Sequence, residues 1–242
     1  MIRAVTFDFW NTLVAERPDT WKQRRAAQLA VFERVGIERS PDEIEEAALA
    51  MRAWFDECWL ANVVVGADDA ATRLVAALDV VDDDGTVAVA LADIYRAGGD
   101  PAELRLAPGI GDALESLVSL GVSLGIICDA GFTPGATLRT YLEHHGLLTH
   151  FSHWSFSDEV GVFKPDPAIF GHAAAGLGVT DGAELAHVGD LRRTDNAGAR
   201  NVGWTAVRYR GLHDDAPPEG DEEVAHVVID HHDQLIGSLP LD

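Results

Sequence analysis

The chain has 242 residues, 47% of them hydrophobic, enough for one large domain or a core with a smaller insertion, and unlike a disordered sequence. Forty acidic residues against 18 basic ones give a formal net charge of -22, and such a surface repels phosphate backbones and anionic lipid. Nucleic acid and membrane are therefore excluded as expected partners. Cys58 and Cys128 are too few for a disulfide framework or a thiolate zinc site. With no secretory leader pattern and no run of roughly 18 apolar residues, a cytoplasmic location is expected.

The first apolar run, RAVTFDF at 3–9, reads as a buried strand that carries Asp8 at its end, followed by a turn at Asn11-Thr12-Leu13. Residues 15–106 break from strand rhythm and read as helical, in four stretches that begin near Trp21, Ser40, Asp68 and Asp83. Ser40 and Glu43 have the spacing of a capping box, with Pro41 at the first helical position. Trp21, Trp54 and Trp59 are expected in the core of this helical insert. From residue 107 the pattern alternates. Strands at 122–128, 153–157, 185–189, 204–209 and 226–230 are interleaved with helices at 109–120, 134–146, 167–177, 195–202 and 231–236. The stretch 214–223 reads as a solvated loop, and His144, His145, His231 and His232 as surface residues.

Strands alternating with helices imply right-handed crossovers and a mainly parallel sheet covered on both faces. The fold class is therefore α/β: a three-layer Rossmann-like core domain (1–14 and 107–242) with an inserted helical cap domain (15–106). Ligands collect at the carboxyl ends of the strands in such sheets. Asp8, Cys128-Asp129 and Asp190 all fall at strand ends, and their convergence defines the candidate site.

Four pieces resemble, in order, the motifs of the haloacid dehalogenase-like hydrolase superfamily. Asp8 matches its nucleophile, IICDAGF (126–132) its second motif, Lys164 in GVFKPDPAIF its third, and HVGDLRRTD (187–195) its acidic fourth. The resemblance implies an aspartyl-phosphate on Asp8, with Lys164 and Asp195 as further catalytic residues. It also implies Mg²⁺ held by Asp8, the main-chain carbonyl of Trp10 and Asp190. The residue chemistry agrees, since a carboxylate attacking an anion needs nearby positive charge and hard oxygen ligands suit Mg²⁺. Asn11, Thr12, Cys128, Asp129 and Ala130 are the candidate substrate-binding positions, with backbone N–H groups cradling a phosphate. A small phosphorylated molecule is the expected substrate.

Two positions depart from the family pattern. Trp10 stands where phosphatases of this family carry an acid/base Asp, a group that contributes roughly 10²–10⁴-fold. Haloacid dehalogenases also carry an aromatic residue there, because halide leaves without a proton. Cys128 replaces a phosphate-binding Ser or Thr, and its thiol is a weaker donor. Three readings stay open: a Mg²⁺-dependent phosphatase, a weakly active or non-catalytic member that binds a phosphate ligand, and a 2-haloacid dehalogenase.

Overall fold

The computed structural model describes residues 1–216 and 222–241. Strand β1 (Ala4–Phe7) is buried along its whole length, as an apolar run with helices on both sides must be. After the Asp8 turn, β2 (Val14–Ala15) leads into four helices: α1 (Thr20–Arg34), α2 (Pro41–Leu60), α3 (Ala67–Ala77) and α4 (Thr86–Ala97). The Ser40–Glu43 capping box forms as its spacing predicts, with the Glu43 N–H donating to Ser40 Oγ and the Ser40 N–H to Glu43 Oε2. The helices bury a separate apolar cluster that includes Phe32, Ile44, Leu74 and Leu91. Strand β3 (Arg105–Leu106) then returns antiparallel to β2, pairing Val14 with Leu106 and Ala15 with Arg105. This ribbon is absent from the sequence reading, because two-residue strands are too short to show an alternation.

The alternating half continues with α5 (Ile110–Ser119), β4 (Ser123–Cys128), α6 (Gly135–His144), β5 (His153–Phe156) and the single turn α7 (Ser157–Val160). It closes with α8 (Pro167–Leu177), β6 (Leu185–Gly189), α9 (Ala197–Asn201), β7 (Thr205–Tyr209), β8 (Val227–Ile229) and α10 (Leu235–Ser238). The strands form one parallel sheet in the order β5-β4-β1-β6-β7-β8. Strand parity sorts the core into two layers. Val5, Phe7, Ile126 and Val188 join the cluster with Ile110 and Leu114 of α5, whereas Ala4, Ile127 and Leu185 pack with Ile169 and Phe170 of α8. The strand order reverses between β1 and β6, so the crevice at their carboxyl ends is the topological switch point. Asp8 and Asp190 stand on its two sides.

Two expected helices differ in detail. The one expected over 195–202 begins earlier, with a wide π turn at Arg192–Asn196 that precedes α9. The one expected over 231–236 splits into a 3₁₀ turn at His232–Gln234 and α10. Part of the expected loop 214–223 lies outside the described residues. Among those described, no helix is long and apolar enough to cross a membrane.

His232 is fully buried, which corrects the expectation of a surface residue. Its Nε2–H donates to the Thr12 carbonyl at 2.8 Å, and its ring stacks on Tyr209 at 4.1 Å. The C-terminal segment thereby clamps the turn that carries Asp8. Burial drives the His232 pKa down to about 4, so the folded chain takes up its proton only near that pH, whereas the unfolded chain does so near 6.5. As pH falls from 6.5 towards 4, protonation of the unfolded state removes stability that is fully present above 6.5. We expect this residue alone to account for a loss of about 3 kcal/mol. Urea titrations across that range should show a shallower acid limb for His232→Gln than for the unaltered chain.

Candidate active site

Asp8 follows β1 directly, and its N–H donates to the Val188 carbonyl of β6 at 2.8 Å, which continues the sheet ladder one residue beyond the strand. The chain then reverses through Asn11, whose positive φ of 58° suits an asparagine. Lys164 reaches the same point from the loop before α8, a helix capped by Asp166 and begun by Pro167. Its ammonium is buried and donates three hydrogen bonds: to Asp8 Oδ1 at 2.6 Å, Asp195 Oδ1 at 2.6 Å and the Ile127 carbonyl at 2.9 Å. Burial disfavours that charge, yet Asp195 and Asp8 outweigh it and hold the Lys164 pKa well above the ordinary lysine value.

The π turn aims Asp195 inwards. The N–H groups of Asp195 and Asn196 both bond to the Leu191 carbonyl, while Asp195 Oδ2 accepts the Leu191 N–H at 2.9 Å. Asp195 therefore stabilises its own turn and caps no helix. A Cβ at position 189 would collide with its side chain, so the glycine of the Gly189-Asp190 pair is what permits the approach. His187, which opens the fourth motif but is given no role by it, donates from Nε2 to Asp195 Oδ1 at 3.1 Å, and its Nδ1 lies 2.8 Å from Thr6 Oγ1. Its signal in the sequence is a polar residue inside an otherwise apolar strand. Burial opposes ionisation of Asp195, but Lys164 and His187 hold its pKa below the usual carboxylate range.

One cation is thus shared among several acids. Asp8, Asp190 and Asp195 each offer an oxygen within 4.8 Å of the others, and Asp129 lies close by. Burial pushes Asp8 up to about 7 despite Lys164, and burial with the repulsion of Asp8 and Asp195 pushes Asp190 up to about 9. Two buried carboxylates that resist ionisation beside one saturated ammonium form a site short of positive charge. Hard oxygen donors at that spacing fit a divalent cation such as Mg²⁺.

Of the expected substrate contacts, Asn11, Asp129 and Ala130 line a cavity of about 590 Å³ together with Asp8, Trp10, Lys164 and Asp190. Others stand differently. Cys128 is buried in the core layer with Phe7, where strand parity turns its side chain, and it does not line the cavity. The Thr12 side chain is buried and donates to Asp8 Oδ2 at 3.4 Å. Two of the proposed cradle N–H groups are already engaged, Asn11 with the Val14 carbonyl and Ala130 with Ser157 Oγ. Trp10 packs edge-on against Phe9 and Tyr141, and the Tyr141 hydroxyl accepts the Gly99 N–H just after α4.

The helical insert supplies residues that no motif marks. Arg24 and Arg52 line the cavity, paired at 3.1 Å with Glu16 and Asp56 respectively. Trp59 also lines the cavity, contrary to its expected place in the insert's core. Its Nε1–H donates to Asp129 Oδ2 at 2.7 Å, while the Arg193 guanidinium lies over its ring at 4.1 Å. Nearby, the Asn62 side chain accepts the Phe163 N–H and donates to Asp166 Oδ2, both at 2.8 Å. These bonds join the insert to the loops around Lys164.

The fold is that of a known class of hydrolytic enzymes. The family model described as haloacid dehalogenase-like hydrolase matches residues 2–203, and the chain belongs to that family. Glyceraldehyde 3-phosphate phosphatase of Methanopyrus kandleri is 33% identical over 138 residues, 56% of this chain and 57% of its own length. Phosphoserine phosphatase of Thermus thermophilus is 45% identical over 80 residues, 33% of this chain and 32% of its own. The chain spans about half or less of the length of these curated relatives. A phosphatase structure from Thermococcus onnurineus aligns over 100% of this chain and 99% of its own, with a TM-score of 0.66 and 26% identity. A 2-haloacid dehalogenase structure from Pseudomonas syringae shares the fold at a TM-score of 0.72 and 22% identity, covering 98% of both chains.

Removing the ammonium while keeping the stem leaves Asp8 and Asp195 buried without the charge that offsets theirs, their remaining bonds coming from Thr12, His187 and the Leu191 N–H. Lys164→Met should therefore destabilise the chain by roughly 3–5 kcal/mol, read by urea unfolding in the presence of EDTA.

Proposed function

We propose that this hydrolase is a Mg²⁺-dependent phosphatase of small phosphorylated molecules that works through an aspartyl-phosphate on Asp8. The observation that carries this reading is the surplus of buried carboxylate around Asp8 and Asp190 once Lys164 is saturated. Asp8, the Trp10 carbonyl and Asp190 would hold Mg²⁺, which supplies the positive charge that lets an anionic nucleophile meet a phosphate. Lys164 fixes the Asp8 carboxylate through Oδ1, and Oδ2, which accepts the long 3.4 Å bond from the Thr12 hydroxyl, would attack phosphorus. Asp195 and His187 keep that ammonium in place. As the Asp8 O–P bond forms, the ester P–O bond breaks and its electron pair leaves with the departing oxygen. Water then cleaves the acyl phosphate, releasing inorganic phosphate and restoring Asp8. The insert, 15–106, would serve as the cap that excludes bulk water during these steps, with Trp59 and Asn62 as its contacts to the core.

Trp10 decides which substrates suit the site. It has no proton to give the departing oxygen, so acyl and aryl phosphates, whose oxygens leave as stable anions, should be hydrolysed in preference to alkyl esters. The names of the phosphatase relatives support a phosphate ester as substrate. A second reading, a weakly active binder of a phosphate ligand, draws on Cys128 facing the core and on the engaged Asn11 and Ala130 N–H groups.

Hydrolysis of p-nitrophenyl phosphate should require Mg²⁺ and disappear in Asp8→Asn. Turnover unaffected by EDTA would sink the phosphatase reading as stated. Trp10→Asp, which restores an acid, should raise kcat on an alkyl phosphate by up to roughly 10²–10⁴-fold. An unaltered chain as active as that variant removes the support for a weak binder. Halide assays on chloroacetate and 2-chloropropionate should show no release, and release would favour the dehalogenase reading instead.

A further inference from the structure

Three consecutive residues on the loop leaving β7 (His213, Asp214 and Asp215) each hold a partner on the core. Asp214 Oδ1 accepts from Arg208 Nη1 at 2.5 Å, and Arg208, itself buried, also bonds to Glu223 through Nε at 2.9 Å. Asp215 Oδ2 accepts the backbone N–H of Arg192 at 2.8 Å, two residues beyond Asp190. Between these anchors and the site, His213 Nδ1 lies 2.7 Å from Asp190 Oδ2, and its ring lines the cavity. Arg192 also reaches across to this region, donating from Nη2 to the Glu222 carbonyl at 2.8 Å. The loop is therefore fastened to the segment Asp190–Arg192 at several points, and the position of His213 follows from those anchors.

The chemistry of the contact is specific. An Nδ1–H on one oxygen of a carboxylate fixes the rotation of the whole group and leaves the other oxygen to bind a cation. Asp190 needs such an anchor, because Lys164 bonds to Asp8 and Asp195 and its three donors are thereby filled. We propose that His213 is a positioning residue for Asp190. It holds Oδ2 so that the remaining oxygen is aimed at the divalent cation, and the bonds of Asp214 and Asp215 keep the imidazole in place. This rests on the reading of Asp190 as a cation ligand given above.

Mn²⁺ binding to the full chain, followed by calorimetry and by the electron paramagnetic resonance signal of free Mn²⁺, tests the proposal without any substrate. The unaltered chain should bind Mn²⁺, and Asp190→Asn should abolish the binding. His213→Ala should weaken it roughly 10–100-fold, as loss of a hydrogen-bond partner behind a metal ligand does. His213→Asn, which keeps a donor at about the same reach, should recover most of the affinity. Asp215→Ala, which loosens the loop without touching the carboxylate, should weaken binding in the same direction. Affinity unchanged in His213→Ala but lost in Asp190→Asn overturns the positioning role and leaves the cation reading standing. Equal losses in His213→Ala and His213→Asn overturn the hydrogen-bond argument. An unaltered chain that binds no Mn²⁺ overturns both readings.

Discussion

The site depends on one ammonium group. Lys164 sits at the end of a buried sheet, where a free charge would be expensive, and is stable there because two carboxylates and a carbonyl take its three protons. Each partner belongs to a different element: Asp8 to the end of β1, Ile127 to β4, and Asp195 to the turn after β6. The same contact that orients the Asp8 carboxylate also ties three neighbouring strands together at their carboxyl ends. Shape and reactivity here have one cause.

Saturation of that ammonium sets the electrostatics of everything around it. Asp8 and Asp190 remain under-compensated, and burial raises both. The surroundings add negative charge, since the chain as a whole carries -22. Positive groups facing the cavity are therefore few and placed: Lys164 from the core, Arg24 and Arg52 from the insert. The two arginines of the insert are each paired with a carboxylate, Glu16 and Asp56, whereas the Lys164 ammonium is held by the Asp8 and Asp195 carboxylates.

Much of this is legible in the amino-acid sequence, for physical reasons that differ by element. The buried strands announce themselves because a strand covered on both faces must be apolar throughout. The four insert helices and the Ser40 box are visible because capping depends on local spacing. Asp8, Lys164, Asp190 and Asp195 are found by motif, and the sheet brings them together. What escapes is long-range. His187 meets Asp195 and Thr6 only through strand register, and His232 reaches Thr12 across 220 positions. Trp59 reads as one more apolar residue of a helix until its indole N–H is seen on Asp129. Cys128 packs in the core layer that its strand parity dictates, with its thiol still within electrostatic reach of Asp8 and Lys164, a placement no local pattern announces.

The small ribbon of β2 and β3 has a wider meaning. It brings the two ends of the insert side by side, and the Ala107 N–H bonds to the Leu13 carbonyl at 2.8 Å. To the core, the whole excursion is equivalent to a hairpin, because its closure is fixed at the stem. Loop-closure entropy grows only slowly with length. The insert can thus lengthen or shorten without disturbing the geometry of Asp8, six positions upstream of the stem's first residue.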